Sequence, residues 1–217
     1  MKKVALIVAG GKGERMGSEI PKQFLLLKKL PILMYTIKQF VHFEQIVLVL
    51  PKIQFDYWHQ LCKDQNFNLA LTLVEGGETR FQSVKNGLEK IPNGVIVAIH
   101  DAVRPLVSKS LIDNLISVVK NGVGSVPIFE ITDSIRKVEA GSSKSISRKN
   151  LFKVQTPQCF LSSNIKDAYS KIPSKDFSDD ASVFETLGGE IKPIAGERKN
   201  LKITTKEDLK IAELFMQ

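Results

Sequence analysis

The sequence predicts an α/β fold, a mainly parallel sheet with helices on both faces. Three observations lead there. Short apolar runs rich in Val and Ile recur along the chain, stretches with helical periodicity separate them, and the first run passes directly into a glycine-rich loop. Nearly continuous apolar runs suit strands buried on both faces, and strands alternating with helices give parallel sheets.

Taken in order, Val4–Val8, Ile46–Leu50, Leu69–Val74, Val95–Ile99 and Ser125–Phe129 read as strands. Helices are expected at 33–43, 54–65, 79–90 and 108–120. In the last of these, Leu111, Ile112, Leu115, Ile116 and Val119 form an apolar stripe, and Ser110 with Asp113 reads as a capping box. From 132 to 155 the chain turns polar. There, Ser134–Glu139 and Lys144–Arg148 around Gly141-Ser142-Ser143 read as a hairpin with little apolar surface. An isolated hairpin is marginal in water, so this one needs another surface to lean on. Helical patterns return near 162–171, 179–187 and 205–215, with Thr205 and Asp208 as a capping signal for the last.

The bulk numbers narrow the function. At 217 residues, 43% hydrophobic and 25% charged, the chain suits one globular domain with a sizeable core. Two cysteines, Cys62 and Cys159, make no disulfide framework and no metal-ligand spacing, which suits a reducing cytosol. Val4–Ala9 is too short for a signal h-region, and no stretch approaches the roughly 20 apolar residues of a membrane span. A soluble, cytoplasmic protein with no membrane partner is expected. The net charge of +8 favours anionic partners. Its lysines are spread along the chain rather than gathered in a basic stripe, which points to phosphorylated small molecules and away from nucleic acid.

The loop after the first strand, Gly10-Gly11-Lys12-Gly13-Glu14-Arg15-Met16-Gly17, is followed by Pro21-Lys22-Gln23. Glycines let backbone N–H groups approach a polyphosphate closely, and Arg15 and Lys22 add cations where further negative charge would develop. It is not a P-loop, because Gly13 rather than Ser or Thr follows Lys12. Nor is it the dinucleotide fingerprint, whose third glycine position here holds Met16.

Four further segments stand at strand ends or before helices: Gly76-Gly77-Glu78-Thr79-Arg80, His100-Asp101-Ala102-Val103-Arg104-Pro105, Thr156-Pro157-Gln158 and Asn200-Leu201-Lys202-Ile203-Thr204. Together with the loop, this ordered set resembles the 2-C-methyl-D-erythritol 4-phosphate cytidylyltransferases of the non-mevalonate isoprenoid pathway, over nearly the whole chain. The resemblance implies a Rossmann-like sheet of nucleotidyltransferase type and one cytidylyltransferase domain over 1–217, with 132–155 as a projecting dimerisation arm. By the same resemblance, Ala9, Gly10, Gly11 and Gly13 would wrap the CTP phosphates, while Gly77, Glu78 and Ser83 approach the cytosine and ribose. Arg15 and Lys22 would stabilise the transition state. Asp101, Arg104 and Thr156 would meet the second substrate's hydroxyls, and Lys202 would position its phosphate. A homodimer with arm exchange would bring Ser134 and Arg148 to the partner's site. Gly10, Glu78 and Ser134 stand where alanine, aspartate and threonine are common in the family, each keeping the chemical type.

The implied reaction joins a polyol phosphate to the CMP moiety of CTP and expels pyrophosphate. A phosphate monoester with a second pKa of about 6 is already largely ionised at neutral pH, so no general base is needed. Two anions must be held together, which calls for cations, backbone N–H groups and Mg²⁺. Asp101 is a candidate metal contact, with the triphosphate supplying most of the other oxygens. His100, at a strand end, reads as structural; His42, His59, Trp58 and the phenylalanines read as surface or packing groups. Two other functions share features of the chain. A D-ribitol 5-phosphate cytidylyltransferase shares the loop, Pro-Lys-Gln and Asp-Ala-Val-Arg-Pro, whereas Asp179-Asp180-Ala181-Ser182 and Thr204-Thr205-Lys206 look closer to the isoprenoid enzyme. A non-catalytic nucleotide-binding regulator would keep the loop without needing cations from both ends of the chain.

Overall fold

A computed structural model describes residues 1–9, 20–173 and 177–216. Strand β1 (Lys3–Val8) comes first, and after Pro21 a single 3₁₀ turn spans Lys22–Phe24. A small antiparallel pair, β2 (Leu26–Leu27) and β3 (Leu30–Pro31), leads into α1 (Ile32–Lys38). Alternation then sets in with β4 (Gln45–Leu50), α2 (Phe55–Asp64), β5 (Thr72–Glu75), α3 (Arg80–Glu89), β6 (Ile96–Asp101), α4 (Lys109–Ser117) and β7 (Val123–Glu130). A hairpin of β8 (Ile135–Glu139) and β9 (Ser142–Ile146) interrupts it. The chain finishes with β10 (Phe152–Val154), β11 (Gln158–Leu161), α5 (Ser162–Lys171), α6 (Asp180–Glu185), β12 (Glu190–Ala195) and α7 (Lys206–Phe215).

Among the described residues, eight strands form one sheet, linked in the order β10-β7-β11-β6-β1-β4-β5, with β12 off this path and paired with β7. Pairings β6–β1, β1–β4, β4–β5 and β7–β12 are parallel, whereas β10 and β11 run antiparallel to their neighbours. The expected mainly parallel sheet is therefore present. Successive residues of β1 alternate between two cores, as the two-residue repeat of a strand requires. Ala5 and Ile7 pack with Leu33, Met34, Trp58, Leu111 and Leu115 of α1, α2 and α4. Val4, Leu6 and Val8 pack with Val84, Leu88, Ile165 and Phe184 of α3, α5 and α6 on the other face. A methyl group at Gly87 would stand 2.4 Å from Leu6, so this glycine lets α3 lie directly on the sheet.

Several local expectations need correction. Helix α4 is capped by Ser108, whose hydroxyl accepts the Leu111 N–H at 3.0 Å; Ser110 lies inside the helix and caps nothing. Ser108 has the extended backbone that a cap requires (φ −83°, ψ 152°). The hairpin turns at Ala140-Gly141, both with positive φ (46° and 80°), so β9 starts earlier than expected and Glu139 pairs with Ser142. Two positive φ values are what a tight two-residue hairpin turn demands. Leu69–Leu71 stays outside β5. Strand β12 was not foreseen, because Pro193 and its half-exposed neighbours do not look like a buried strand; at a sheet edge a proline removes no needed donor. The Thr205–Asp208 capping box forms as the sequence predicts.

Candidate active site at the strand edge

Parallel pairing aligns Val8 with both Val49 and Asp101, and Val49 with Val74. Ala9, Asp101 and the Gly76-Gly77 loop therefore emerge at one edge, outside the carboxyl ends of the strands, where ligands bind in such sheets. A cleft of about 290 Å³ opens there, lined by Val8, Ala9, Lys22, Gln23, Glu78, Arg80, Asp101, Ala102, Val103 and Lys202. Residues far apart in the chain thus share one wall. Gly10, Gly11, Gly13 and Arg15 lie outside the described residues.

The nucleotide-side residues are built as a supported loop. Ala9 is buried; its N–H donates to the Val49 carbonyl at 2.9 Å and its carbonyl accepts from Gln23 Nε2 at 3.2 Å. Gln23 also donates to Gln54 Oε1 at 2.8 Å, which fixes the turn that presents Lys22. Gly77 donates its N–H to Ser83 Oγ at 3.0 Å, and a side chain there would meet Gln82 at 2.1 Å. Ser83 is only 1% exposed and stands behind the loop, holding it rather than lining the cleft. Glu78, by contrast, is exposed on the cleft wall.

Asp101 is the electrostatic centre. Its Oδ2 lies 3.1 Å from Lys202 Nζ and 3.2 Å from Arg104 Nε, and its Oδ1 lies 3.9 Å from Arg80 Nε. Burial opposes ionisation, yet Lys202, Arg80 and Arg104 together hold this carboxyl well below the usual carboxylate range. It stays an anion. Arg104 is itself anchored, with Nη1 donating to the Asn200 carbonyl at 2.9 Å, and the Asn200 amide donates to the Thr156 carbonyl at 2.8 Å.

His100 and Thr156 lock the backbone under this cluster. The Asp101 N–H donates to Thr156 Oγ1 at 3.0 Å, and Thr156 Oγ1 stands 3.0 Å from His100 Nδ1. His100 Nε2 lies 3.0 Å from the Arg104 carbonyl, which can only accept. The proton is therefore on Nε2, and the Thr156 hydroxyl donates to Nδ1. Burial pushes His100 down to about 4, against the pull of its hydrogen bonds and of Asp101. The imidazole is neutral and sealed, in keeping with the structural role expected of it.

Within one chain, Ser134 and Arg148 do not line the cleft. Both are exposed, and an Arg148 Nη1 donates to the Thr132 carbonyl at the hairpin base. A second hollow of about 590 Å³ shares Lys202 with the cleft and extends to Arg104, Thr132, Asp133 and Arg198. As for Mg²⁺, no cluster of three His, Cys, Asp or Glu side chains able to hold a metal occurs among the described residues. Asp101, with both oxygens facing cations of the chain, does not make a resident metal site by itself. Sequence reasoning missed Arg80, Gln23 and Asn200 as members of the site, although each sits inside a motif it had singled out.

This geometry can be set beside known proteins. The family profile described as 2-C-methyl-D-erythritol 4-phosphate cytidylyltransferase matches residues 3–217. The chain belongs to this family. A cytidylyltransferase of that family from Bacteroides fragilis is 45% identical, with all of both chains covered. The one from Azobacteroides pseudotrichonymphae is 46% identical over 99% of this chain and 98% of its own. Among solved structures, the Thermus thermophilus cytidylyltransferase superposes with a TM-score of 0.83 at 28% identity, over 99% of this chain and 98% of the other. The family's reaction class, nucleotidyl transfer, is that of this enzyme. Among the described residues, no helix is long and apolar enough to cross a membrane.

Proposed function

We propose that the strand-edge cleft is where the enzyme joins 2-C-methyl-D-erythritol 4-phosphate to CTP. The observation that carries this reading is that Lys22, Glu78, Asp101 and Lys202, from four separate motifs, line one cleft. An oxygen of the substrate's phosphate attacks the α-phosphorus of CTP, the P–O bond to the β-phosphate breaks, and pyrophosphate leaves. The attacking phosphate is largely ionised at neutral pH, so no proton need be removed, which agrees with the only nearby histidine being sealed away. Catalysis rests on holding anions in place and stabilising charge with fixed cations.

The nucleotide lies over the first loop and Gly77-Glu78, with Arg15 and Lys22 at the α-phosphate. Lys202, on the wall between the two hollows, and Arg104, in the second of them, receive the polyol phosphate. Asp101 spaces those two cations and offers an acceptor to the polyol hydroxyls. Asp101 would offer at most one protein oxygen to a Mg²⁺ ion, which would be held mainly by the triphosphate and would offset its charge. Two copies form a homodimer in which the β8–β9 hairpin brings Ser134 and Arg148 to the partner's second hollow. The enzyme works in the cytoplasm. Pyrophosphate release with CTP and each of two polyol phosphates tests the substrate. Release with methylerythritol phosphate is expected. Release only with D-ribitol 5-phosphate overturns the substrate, and release with neither leaves a nucleotide-binding protein.

A further inference from the structure

Arg80 belongs to the Gly76–Arg80 motif and lines the cleft, and its guanidinium already faces two carboxylates of the chain. Its Nη1 and Nη2 donate to the two oxygens of Asp180 at 2.8 and 2.6 Å. Asp180 is fully buried at the start of α6, and its Oδ1 accepts a further hydrogen bond from Tyr169 Oη at 2.6 Å. The third nitrogen, Nε, is left to face Asp101 Oδ1. Burial disfavours the Arg80 charge, but Asp180 and Asp101 hold it firmly cationic.

We propose that Arg80 is a positioning residue: gripped by Asp180, which Tyr169 holds in turn, it fixes the plane of the Asp101 carboxylate and so the place of Lys202. The division of contacts carries this inference. Asp101 meets Arg80 through Oδ1 and meets Lys202 and Arg104 through Oδ2. A half turn would merely exchange two equivalent oxygens, but a smaller rotation would draw the near oxygen away from Arg80 and shift the other from Lys202, so Arg80 sets the plane in which the carboxylate meets Lys202. Only a guanidinium can do this. Its rigid fork engages Asp180 with two nitrogens and still presents a third along another edge, whereas an ammonium is a single point charge. Helix α6, distant in sequence from the cleft, is thereby tied to the cation that receives the second substrate. This kinetic consequence rests on the proposed roles of Lys202 and the polyol phosphate.

Two variants test it, Arg80→Lys, which keeps the charge, and Tyr169→Phe, which removes one hydrogen bond from Asp180. Lys202 reactivity is read by limited acylation and mass spectrometry, with Lys137 on the exposed hairpin as internal reference. In Arg80→Lys, Lys202 labelling and KM for the polyol phosphate are each expected to rise roughly tenfold, as for loss of one charge-assisted contact, with KM for CTP unchanged. Tyr169→Phe, which leaves the fork intact, moves the same quantities in the same direction by roughly threefold. Unchanged Lys202 labelling in folded Arg80→Lys overturns the proposal. So does an equal rise at Lys137, or a change confined to KM for CTP. If Arg80→Lys does not fold, unchanged labelling in Tyr169→Phe overturns it. Labelling needs no turnover, so it judges the tether even where the substrate assignment fails.

Discussion

Two ion pairs in this molecule look alike by distance and differ in everything else. On the hairpin, Lys137 Nζ and Glu139 Oε1 stand 2.6 Å apart, with side chains 60% and 66% exposed. At the strand edge, Lys202 and Asp101 stand farther apart, at 3.1 Å, but the Asp101 side chain is only 11% exposed and two arginines share it. The hairpin pair sits in water, where solvent and salt screen it and each side chain gives up rotamer freedom to hold it. The Asp101 cluster sits on a buried strand end, where breaking one contact leaves a desolvated charge. Closeness does not rank the two; surroundings do. The cluster's geometry is enforced by the sheet beneath it, whereas β8 and β9 are held, among the described residues, by their own pairing and by Arg136 on Ser143. Those strands pair only with each other, and all their residues but Ile135 are exposed.

The comparison can be broken at either region. The largest effect is expected at the cleft. Lys22→Ala should lower kcat at least ~100-fold, equivalent to about 3 kcal/mol, as loss of a preorganised electrostatic donor does elsewhere. Near wild-type pyrophosphate release would remove Lys22 from the mechanism.

Next comes the hairpin, tested by complementation. Arg148→Ala and Lys202→Ala should each be nearly inactive alone. Co-expressed, they should recover about a quarter of the wild-type sites, because half of the dimers are mixed and each mixed dimer holds one intact site. No recovery in mixed dimers would show that the hairpin serves its own chain.

A smaller effect sharpens the buried side. His100 has its folded pKa lowered to about 4 from 6.5, so the unfolded chain binds the extra proton between those values. Stability from this group is complete above about pH 6.5 and declines as pH falls toward 4, by about 2 kcal/mol between pH 7 and pH 5. Urea unfolding at those two pH values should show that decline in the wild type, and a folded His100→Gln variant should lack this part of it. An identical pH dependence in the two proteins would contradict a neutral, sealed imidazole.

Much of this was legible in the sequence. The apolar runs announced the buried strands, since a strand covered on both faces has no polar positions to spare. Thr205 and Asp208 announced the last helix, because a capping box is a local contract between residues three apart. Ser108 was missed for the opposite reason. Ser108 and Ser110 stand two residues apart at that helix start, and which one caps depends on where the chain leaves Pro105. Strand β12 was invisible because its pairing with β7, not its own composition, makes it a strand.

By itself, the sequence determined the alternating architecture, the glycine loop and the list of cations and acids that the chemistry needs. Those follow from side-chain polarity and from spacings within a turn or a strand, which are local. Only the tertiary structure decided that Asp101 faces Arg80 with one oxygen and Lys202 and Arg104 with the other. It alone placed Asp180 and Tyr169 behind Arg80, and turned Ser83 and Thr156 toward the backbone. The direction a side chain takes at a site is set by partners distant in sequence, and burial gives those partners their strength. The sequence names the charges; the fold assigns each one its counterpart.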